Sequence, residues 1–345
     1  GGSERQMRYI ADALIYEGIP VQILTSNLSS KYPEAELSLE SVWSHEDSKF
    51  IQLISVIRAI YGANKLIYLR GLSKANMLVS FLGWLFRKSV TVGMTSDLQC
   101  TKSQNLGTNL IRKLQLYFSD KILSQTGQQK EMLAKHFSCD SRVVFNVINP
   151  QRIGVDFEDL DFEQRDIDVI WVGNFDPRKS MDIYLSLSDW LINLNFVVIG
   201  GIHPDHVEYG QNITKRIDES NNITNIGYVS PNQIGKYLSR SKILVSTSQP
   251  SEEGVSKEGF PNVFLEAWYF GIPVISLYSN PSGLLDSEEI GILCSDACEA
   301  IQMIEQLIGD QYRWQQMVSK SREFSLKRDI TNTHTRKTVI KEMFF

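Results

Sequence analysis

The sequence predicts an α/β protein of two doubly wound parallel-sheet domains facing a cleft, and three observations carry that prediction. The chain has 345 residues, more than one hydrophobic core usually serves, so two domains are expected. Short apolar runs alternate with amphipathic segments, the pattern of strand–helix–strand crossovers on a parallel sheet. The alternation stops once, at the acidic stretch DFEDLDFEQRD (156–166), and then restarts. The expected organisation is a first Rossmann-like domain over 1–155, a second over 156–328 and a helical tail over 329–345.

The elements follow in order. Met7, Ile10, Ala11 and Leu14 recur at helical spacing, which predicts an amphipathic helix with Ser3 as its N-cap. PVQILTS (20–26) is extended after a Gly-Ile-Pro turn, and a helix is expected from Asp47 to Tyr61. Strand KLIYLR (65–70), helix 74–86, strand SVTVGMT (89–95), helix 105–118, strand KILSQ (121–125), helix 127–137 and strand RVVFNVI (142–148) complete the first domain. Its most apolar run, NMLVSFLGWLF (76–86), is about half of a bilayer span and reads as a buried helix.

The second domain repeats the logic with strand DVIWVG (168–173), helix 178–192, strand FVVIGG (196–201), helix 208–220, strand ITNIGYV (223–229), helix 231–240 and strand KILVSTS (242–248). A Glu-Gly-Phe-Pro turn, helix 261–270, strand IPVISL (272–277) and helices 296–308 and 310–326 finish it. Open sheets of this kind take ligands beyond the carboxyl ends of their strands, which places a ligand in the cleft.

Composition narrows the function classes. An apolar fraction of 42% and a charged fraction of 22% are those of an ordinary globular protein. Cys100, Cys139, Cys294 and Cys298 form no CxxC and read as reduced thiols, and the histidines at 45, 136, 203, 206 and 334 show no metal spacing. No metal is expected. Neither half shows GxGxxG after a strand, which argues against a dinucleotide-dependent oxidoreductase. No basic, apolar leader opens the chain, so the expected location is cytoplasmic.

Residues 1–150 carry 17 Lys and Arg against 12 Asp and Glu, and residues 151–345 carry 18 against 28, so the halves are +5 and −10. A basic first half suits an acidic acceptor or peripheral contact with an anionic membrane, through Arg58, Lys65, Arg70, Lys74, Arg87 and Lys88. The alternative is that these residues only solvate helices. No nucleic-acid partner is expected.

Glu258-Gly-Phe-Pro-Asn-Val-Phe-Leu-Glu266 sets two carboxylates eight positions apart around a turn. Pro261 suits the first position of a helix, whose leading N–H groups favour an anion such as a diphosphate. A carboxylate accepts from two adjacent hydroxyls at once, which suits a ribose diol or a sugar ring.

This signature, with AWYFGIPVI after it, resembles the donor site of glycosyltransferase family 4, the glycosyl transferases group 1 of GT-B fold. The resemblance implies that Glu258 contacts the transferred sugar and Glu266 the ribose, with Gly259, Phe260, Pro261, Asn262 and Val263 forming the donor-binding turn. Val172-Gly-Asn-Phe-Asp-Pro-Arg-Lys-Ser180 is similar to the family's phosphate loop V-G-R-x-x-x-x-K-G. Lys179 falls on its lysine, Asn174 stands where Arg is common, Ser180 stands where Gly is, and Arg178 is the candidate to supply the missing cation. Asn225-Ile-Gly-Tyr-Val-Ser and Leu244-Val-Ser-Thr-Ser resemble the segments around the base and before the turn.

Gly1-Gly2-Ser-Glu resembles the family's glycine-rich loop, with Gly2 near the donor. The family places a strand before that loop, so either a fragment of a longer protein, lacking the first strand, or an incomplete first half is expected. Thr95-Ser96-Asp97-Leu98 resembles a segment in which His commonly precedes Asp; Ser96 holds the His position, and Asp97 reads equally as a catalytic carboxylate or a cap. The implied activity is retaining transfer from a nucleotide diphosphate sugar, a UDP-sugar being favoured, to a glycan or lipid-linked acceptor in cell-surface polysaccharide synthesis, without metal. The alternative is a noncatalytic sugar-nucleotide-binding or regulatory subunit.

Overall fold

The structure is a computed structural model that describes residues 2–25, 38–41, 49–63, 65–154, 160–249 and 258–345. His45, the start of the helix expected from Asp47 and the boundary expected at 155/156 lie outside the described residues. The chain forms two compact units, Gly1–Phe145 with Asn332–Phe345, and Asn146–Thr331.

The first unit opens with α1 (Gly2–Tyr16). Ser3 therefore lies inside the helix rather than capping it, and Gly2, expected in a loop, is helical. Strands β1 (Gln22–Thr25) and β2 (Ser38–Ser41) pair in parallel. Then come α2 (Lys49–Gly62), β3 (Leu66–Arg70), α3 (Lys74–Leu85), β4 (Ser89–Gly93), a single turn α4 (Asp97–Cys100), α5 (Leu106–Tyr117), β5 (Lys121–Ser124), α6 (Gly127–Phe137) and β6 (Arg142–Val143). These strands form a parallel sheet in the order β3-β4-β5-β6. Helices α3, α5 and α6 start where Ser73, Asn105 and Thr126 accept from Asn76, Thr108 and Gln129 N–H, each filling a donor the helix leaves open.

Helix α3 corrects an expectation. Its apolar run is not a buried helix: Ser80, Leu82 and Gly83 are buried against the sheet, while Trp84 and Leu85 are exposed. An apolar run that covers the whole helix circumference has more surface than one sheet face can cover. The strand expected over 142–148 is also shorter, because after Val143 the chain leaves the sheet, and Ile148 bridges in parallel to Asp329.

The second unit contains β7 (Ile167–Val172), α7 (Met181–Trp190), β8 (Phe196–Ile199), α8 (Val207–Asp218), β9 (Ile223–Gly227), α9 (Gly235–Leu238), β10 (Ser241–Ser246), α10 (Asn262–Tyr269), β11 (Val274–Ser276), α11 (Leu284–Ser287), β12 (Gly291–Leu293), α12 (Ala297–Gly309) and α13 (Gln311–Leu326). Its parallel sheet runs β12-β11-β10-β7-β8-β9. Counted from β7, this is the 3-2-1-4-5-6 order of a doubly wound dinucleotide-binding sheet. The edge strand β12 was not foreseen.

Apolar residues of β7, β8 and β10 pack with Tyr184 of α7 and Trp314 of α13 into one core. Arg165 is buried there with its donors used: Nη1 to Ser241 O at 2.7 Å, Nη2 to Phe270 O at 3.0 Å and Nε to Leu160 O at 3.1 Å. The last helix, α14 (Thr333–Phe344), belongs to the first unit rather than forming a separate tail. Arg336 Nε donates to Glu17 Oε1 at 2.7 Å, Arg142 Nη1 to Glu342 O at 2.9 Å, and the Phe344 ring meets the edge of Tyr68.

Candidate functional site

In the second sheet the strand order reverses between β7 and β10, and such a switch point is where an open α/β sheet leaves room for a ligand. Three segments meet beyond those carboxyl ends: 173–180 after β7, 247–249 after β10, and 258–263 leading into α10. Trp171 Nε1 donates to Thr247 Oγ1 at 3.2 Å, and that hydroxyl donates to Lys179 O at 2.6 Å. Gln249 N–H donates to Arg178 O at 3.0 Å. The loop after β10 thus holds the backbone of the loop after β7.

Glycines let these loops close. At Gly200, with φ +148°, a Cβ would fall 1.7 Å from Gly173 O, so the turns after β7 and β8 touch backbone to backbone. At Gly173 a Cβ would stand 2.9 Å from Lys179 Cδ, so a larger residue there would make the lysine stem shift from its place over the turn. Ser180 has φ 45° and ψ 55°, the left-handed region, which costs a non-glycine residue roughly 1–2 kcal/mol. That conformation is the physical reason for the glycine common at this position in the resembling loop.

Lys179 and Glu258 come together here: Nζ donates to Glu258 Oε1 at 2.6 Å, with both side chains about a third exposed. Arg178, expected to stand in for the cation missing at Asn174, is instead engaged by Asp176. Arg178 N–H and Nε donate to Asp176 Oδ1 at 2.9 and 2.8 Å, and Nη2 contacts Oδ2. Burial pushes the Asp176 carboxyl up, but the hydrogen bonds from the Arg178 side chain and backbone outweigh it and bring it down to about 2. His206 Nε2 stands 4.0 Å from the same carboxylate. Asn174 is exposed and offers its backbone carbonyl to Asp176 N–H.

The turn before α10 is fixed from below. Asn146 Nδ2 donates to Phe260 O and to Asn262 Oδ1, both at 2.9 Å. The Phe260 ring packs edge-on against buried Trp268, so this residue anchors the turn by its side chain and faces the site only with its backbone. Pro261 is the N-cap rather than the first helical residue, so the helix starts one residue later than expected, and Asn262 and Val263 occupy the first two helical positions, partly exposed. Gly259 is buried beside them. Glu266, on the second turn, is only 1% exposed.

Two expected site residues lie in the other unit. Gly2 begins α1, and Asp97 begins α4 just past β4, buried, accepting from Gln129 Nε2 at 2.9 Å. Burial raises the Asp97 carboxyl to about 6, against the pull of the Gln129 hydrogen bond. Sequence reasoning missed Asp176, Thr247 and Asn146. An Asp-Pro pair that opens a turn was the available signal for Asp176. All four cysteines are free thiols. Among the described residues no three His, Cys, Asp or Glu side chains gather as a metal set, and no helix is long and apolar enough to cross a membrane.

Comparisons with known proteins bear on this geometry. Residues 154–324 match the family described as glycosyl transferases group 1. An uncharacterized glycosyltransferase of Haemophilus influenzae is 26% identical over 235 residues, covering 64% of this chain and 61% of the relative, so the chain spans about three fifths of that relative's length. Among solved structures, Anabaena HepE with UDP-glucose superposes with a TM-score of 0.74 at 13% identity, covering 99% of this chain and 96% of that one. Sucrose-phosphate synthase of Thermosynechococcus elongatus superposes at 0.73 and 18% identity, covering 99% and 92%. At such identities the likeness is one of fold.

Proposed function

From the match of residues 154–324 to the glycosyl transferases group 1 family we propose that the chain transfers a sugar, with retention, from a nucleotide diphosphate sugar to a glycan or lipid-linked acceptor in cell-surface polysaccharide synthesis. A UDP-sugar is the favoured donor. The observation that carries the reading is the Lys179–Glu258 contact at the switch point, because it sets a cation for a diphosphate beside a carboxylate for sugar hydroxyls.

In this reading the bond between the anomeric carbon and the β-phosphate oxygen breaks, and the acceptor oxygen bonds that carbon on the same face. Negative charge grows on the leaving diphosphate, where Lys179 and the N–H groups at Asn262 and Val263 stabilise it without a metal. The leaving phosphate oxygen takes the acceptor's proton, so no separate base is needed. Glu258 orients the sugar hydroxyls once the diphosphate has drawn Lys179 away from it. Glu266 accepts from the ribose diol.

A noncatalytic sugar-nucleotide-binding subunit is the second reading, favoured by exposed Asn174 and by the commitment of Arg178 to Asp176. Release of free nucleotide diphosphate, with and without acceptors, separates the two. Calorimetry and steady-state kinetics then test the roles: Glu266→Gln weakens nucleotide affinity, while Glu258→Gln mainly lowers kcat, since sugar orientation acts at the transition state. Wild-type affinity and rate in both variants would falsify the donor-site reading.

A further inference from the structure

Residues 48–119 hold ten Lys and Arg and a single acidic residue, Asp97. That carboxyl is buried, so the described surface of this stretch carries cations and no anion of its own. The six cations grouped in the sequence do not stay together. Arg70 and Lys74 stand at the carboxyl end of β3 and the start of α3, whereas Lys65 and Arg87 stand at the opposite ends of the same elements, about 18 Å away along a twelve-residue helix. Lys88 is used within the fold, donating to Ala63 O at the end of α2.

The face that α3 and α5 turn to solvent between these two ends shows apolar side chains. Sequential crossovers from β3 to β4 to β5 place α3 and α5 on one face of the sheet. Along α5, Leu106, Leu110 and Tyr117 lie on one stripe and are exposed, with Lys113 in line between them. The Tyr117 ring lies 5.2 Å from Phe118, and Phe118 lies 5.3 Å from Trp84. Trp84 is 55% exposed, next to exposed Leu85, and Tyr61 at the end of α2 meets the edge of Phe86. Gln115 of α5 donates to Gly71 O and accepts from Ser73 N–H, both at 3.0 Å, so the exposed Leu, Tyr and Trp side chains form a ridge that runs from Leu106, Leu110 and Lys113 at the end that holds Arg70 and Lys74 to Tyr117, Trp84 and Leu85 beside Arg87. Asp120 is the acidic side chain near it, and its carboxylate is held by Val90 N–H at 2.7 Å.

We propose that this ridge is a docking surface for an anionic lipid bilayer. Trp and Tyr carry an apolar body and a polar tip that suit the headgroup level, and the outer stripe of α5 suits a helix lying in the plane of the interface. The surrounding cations, unopposed within the stretch, select anionic over neutral lipid. The proposal deepens the reading of a lipid-linked acceptor, but vesicle binding requires no donor chemistry, so the two fail separately.

The test is cosedimentation of the full chain with vesicles of phosphatidylcholine alone and of equimolar phosphatidylcholine and phosphatidylglycerol. Binding is expected to the second and to be weakened by raising salt to about 0.15 M, where the screening length is about 8 Å. Arg87→Gln and Lys113→Gln each lower the partition coefficient about fivefold, the equivalent of about 1 kcal/mol per cation. Trp84→Ser and Tyr117→Ser lower it at every salt concentration, and Lys179→Ala leaves it unchanged. Equal binding to both vesicles, no binding to either, or a concentration-dependent dimer abolished by Trp84→Ser would each overturn the proposal, the last by assigning the ridge to a second copy of this chain.

Discussion

Asp97 and Asp176 stand just past the carboxyl ends of parallel strands, one in each unit, and their surroundings drive them in opposite directions. Asp97 is buried with an amide for a partner, and its carboxyl is raised to about 6. Asp176 shows as little surface but is less deeply buried and faces a guanidinium, and its carboxyl falls to about 2. Burial pushes both upward, and only at Asp176 do the partner's hydrogen bonds outweigh it. The difference follows the topology. The four-stranded sheet of the first unit runs in sequence order without a reversal, while the sheet of the second unit reverses between β7 and β10 and collects charged loops there. A paired, ionised network at a switch point suits an anionic ligand, whereas a protonatable acid beside an amide holds a loop together.

The largest effect expected on this contrast comes from Lys179→Ala. If the second unit holds the diphosphate, kcat falls about 100-fold or more, the equivalent of about 2.7 kcal/mol for one preorganised donor to a developing anion. Arg178→Ala costs less, because Asp176 already matches its charge. Steady-state kinetics on both variants decide. Losses of equal size from the two would place Arg178 on the diphosphate, and no loss from Lys179→Ala would remove the loop after β7 from the chemistry.

Asp97→Asn tests the other side of the contrast. The asparagine keeps an acceptor for Gln129 Nε2 but carries no charge to bury. An acid whose folded pKa is raised binds its proton more readily when folded, so wild-type stability falls as pH rises from about 4 to about 6 and stays lowered above that. The variant lacks this fall. Denaturant unfolding at neutral pH is expected to show it more stable by about 2–3 kcal/mol, an upper figure from a shift of about two pKa units, with the advantage gone below about pH 4. A variant less stable than wild type at neutral pH, with the difference vanishing as pH falls, would mean that Asp97 is held ionised by a partner, which would erase the contrast.

What the sequence made legible depended on how local the cause was. Periodicity located β7, β8 and β10, and with them the doubly wound order, because each is a compact apolar run. It missed β2 and β12, which are short edge strands with little alternation to read. Helix α14 read as a detached tail because its anchors, Glu17 and Tyr68, are more than 250 positions away in the chain. At the site, Lys179 and Glu258 could each be picked out by motif, but their contact joins residues 79 positions apart. The pairing of Arg178 with Asp176 spans only two positions, but an Asp-Pro pair reads as the opening of a turn and does not show that the carboxylate will hold the guanidinium as well. Likewise, a run as apolar as 76–86 signals burial by composition, and only packing reveals that Trp84 faces outward.

The smallest effect expected, and the one that sharpens the contrast by sign, is Asp176→Asn. An acid whose folded pKa is lowered contributes stability above its unfolded pKa of about 4, and that contribution is lost as pH falls through about 2. The Arg178 side chain is more than half exposed, so solvent screens the pair and its worth stays below about 1 kcal/mol. The variant is therefore slightly less stable than wild type at neutral pH and indistinguishable from it near pH 2, the reverse of what Asp97→Asn shows. The substitution also frees the guanidinium of Arg178, since asparagine presents one acceptor oxygen and no charge where Asp176 presents two oxygens. If the pair serves to keep Arg178 off the donor, nucleotide affinity rises by a few-fold while stability falls, and Arg178→Ala in the same background removes that gain. A variant that lost stability at neutral pH without any change in nucleotide affinity would leave Asp176 as a cap of the turn at Pro177 and nothing more.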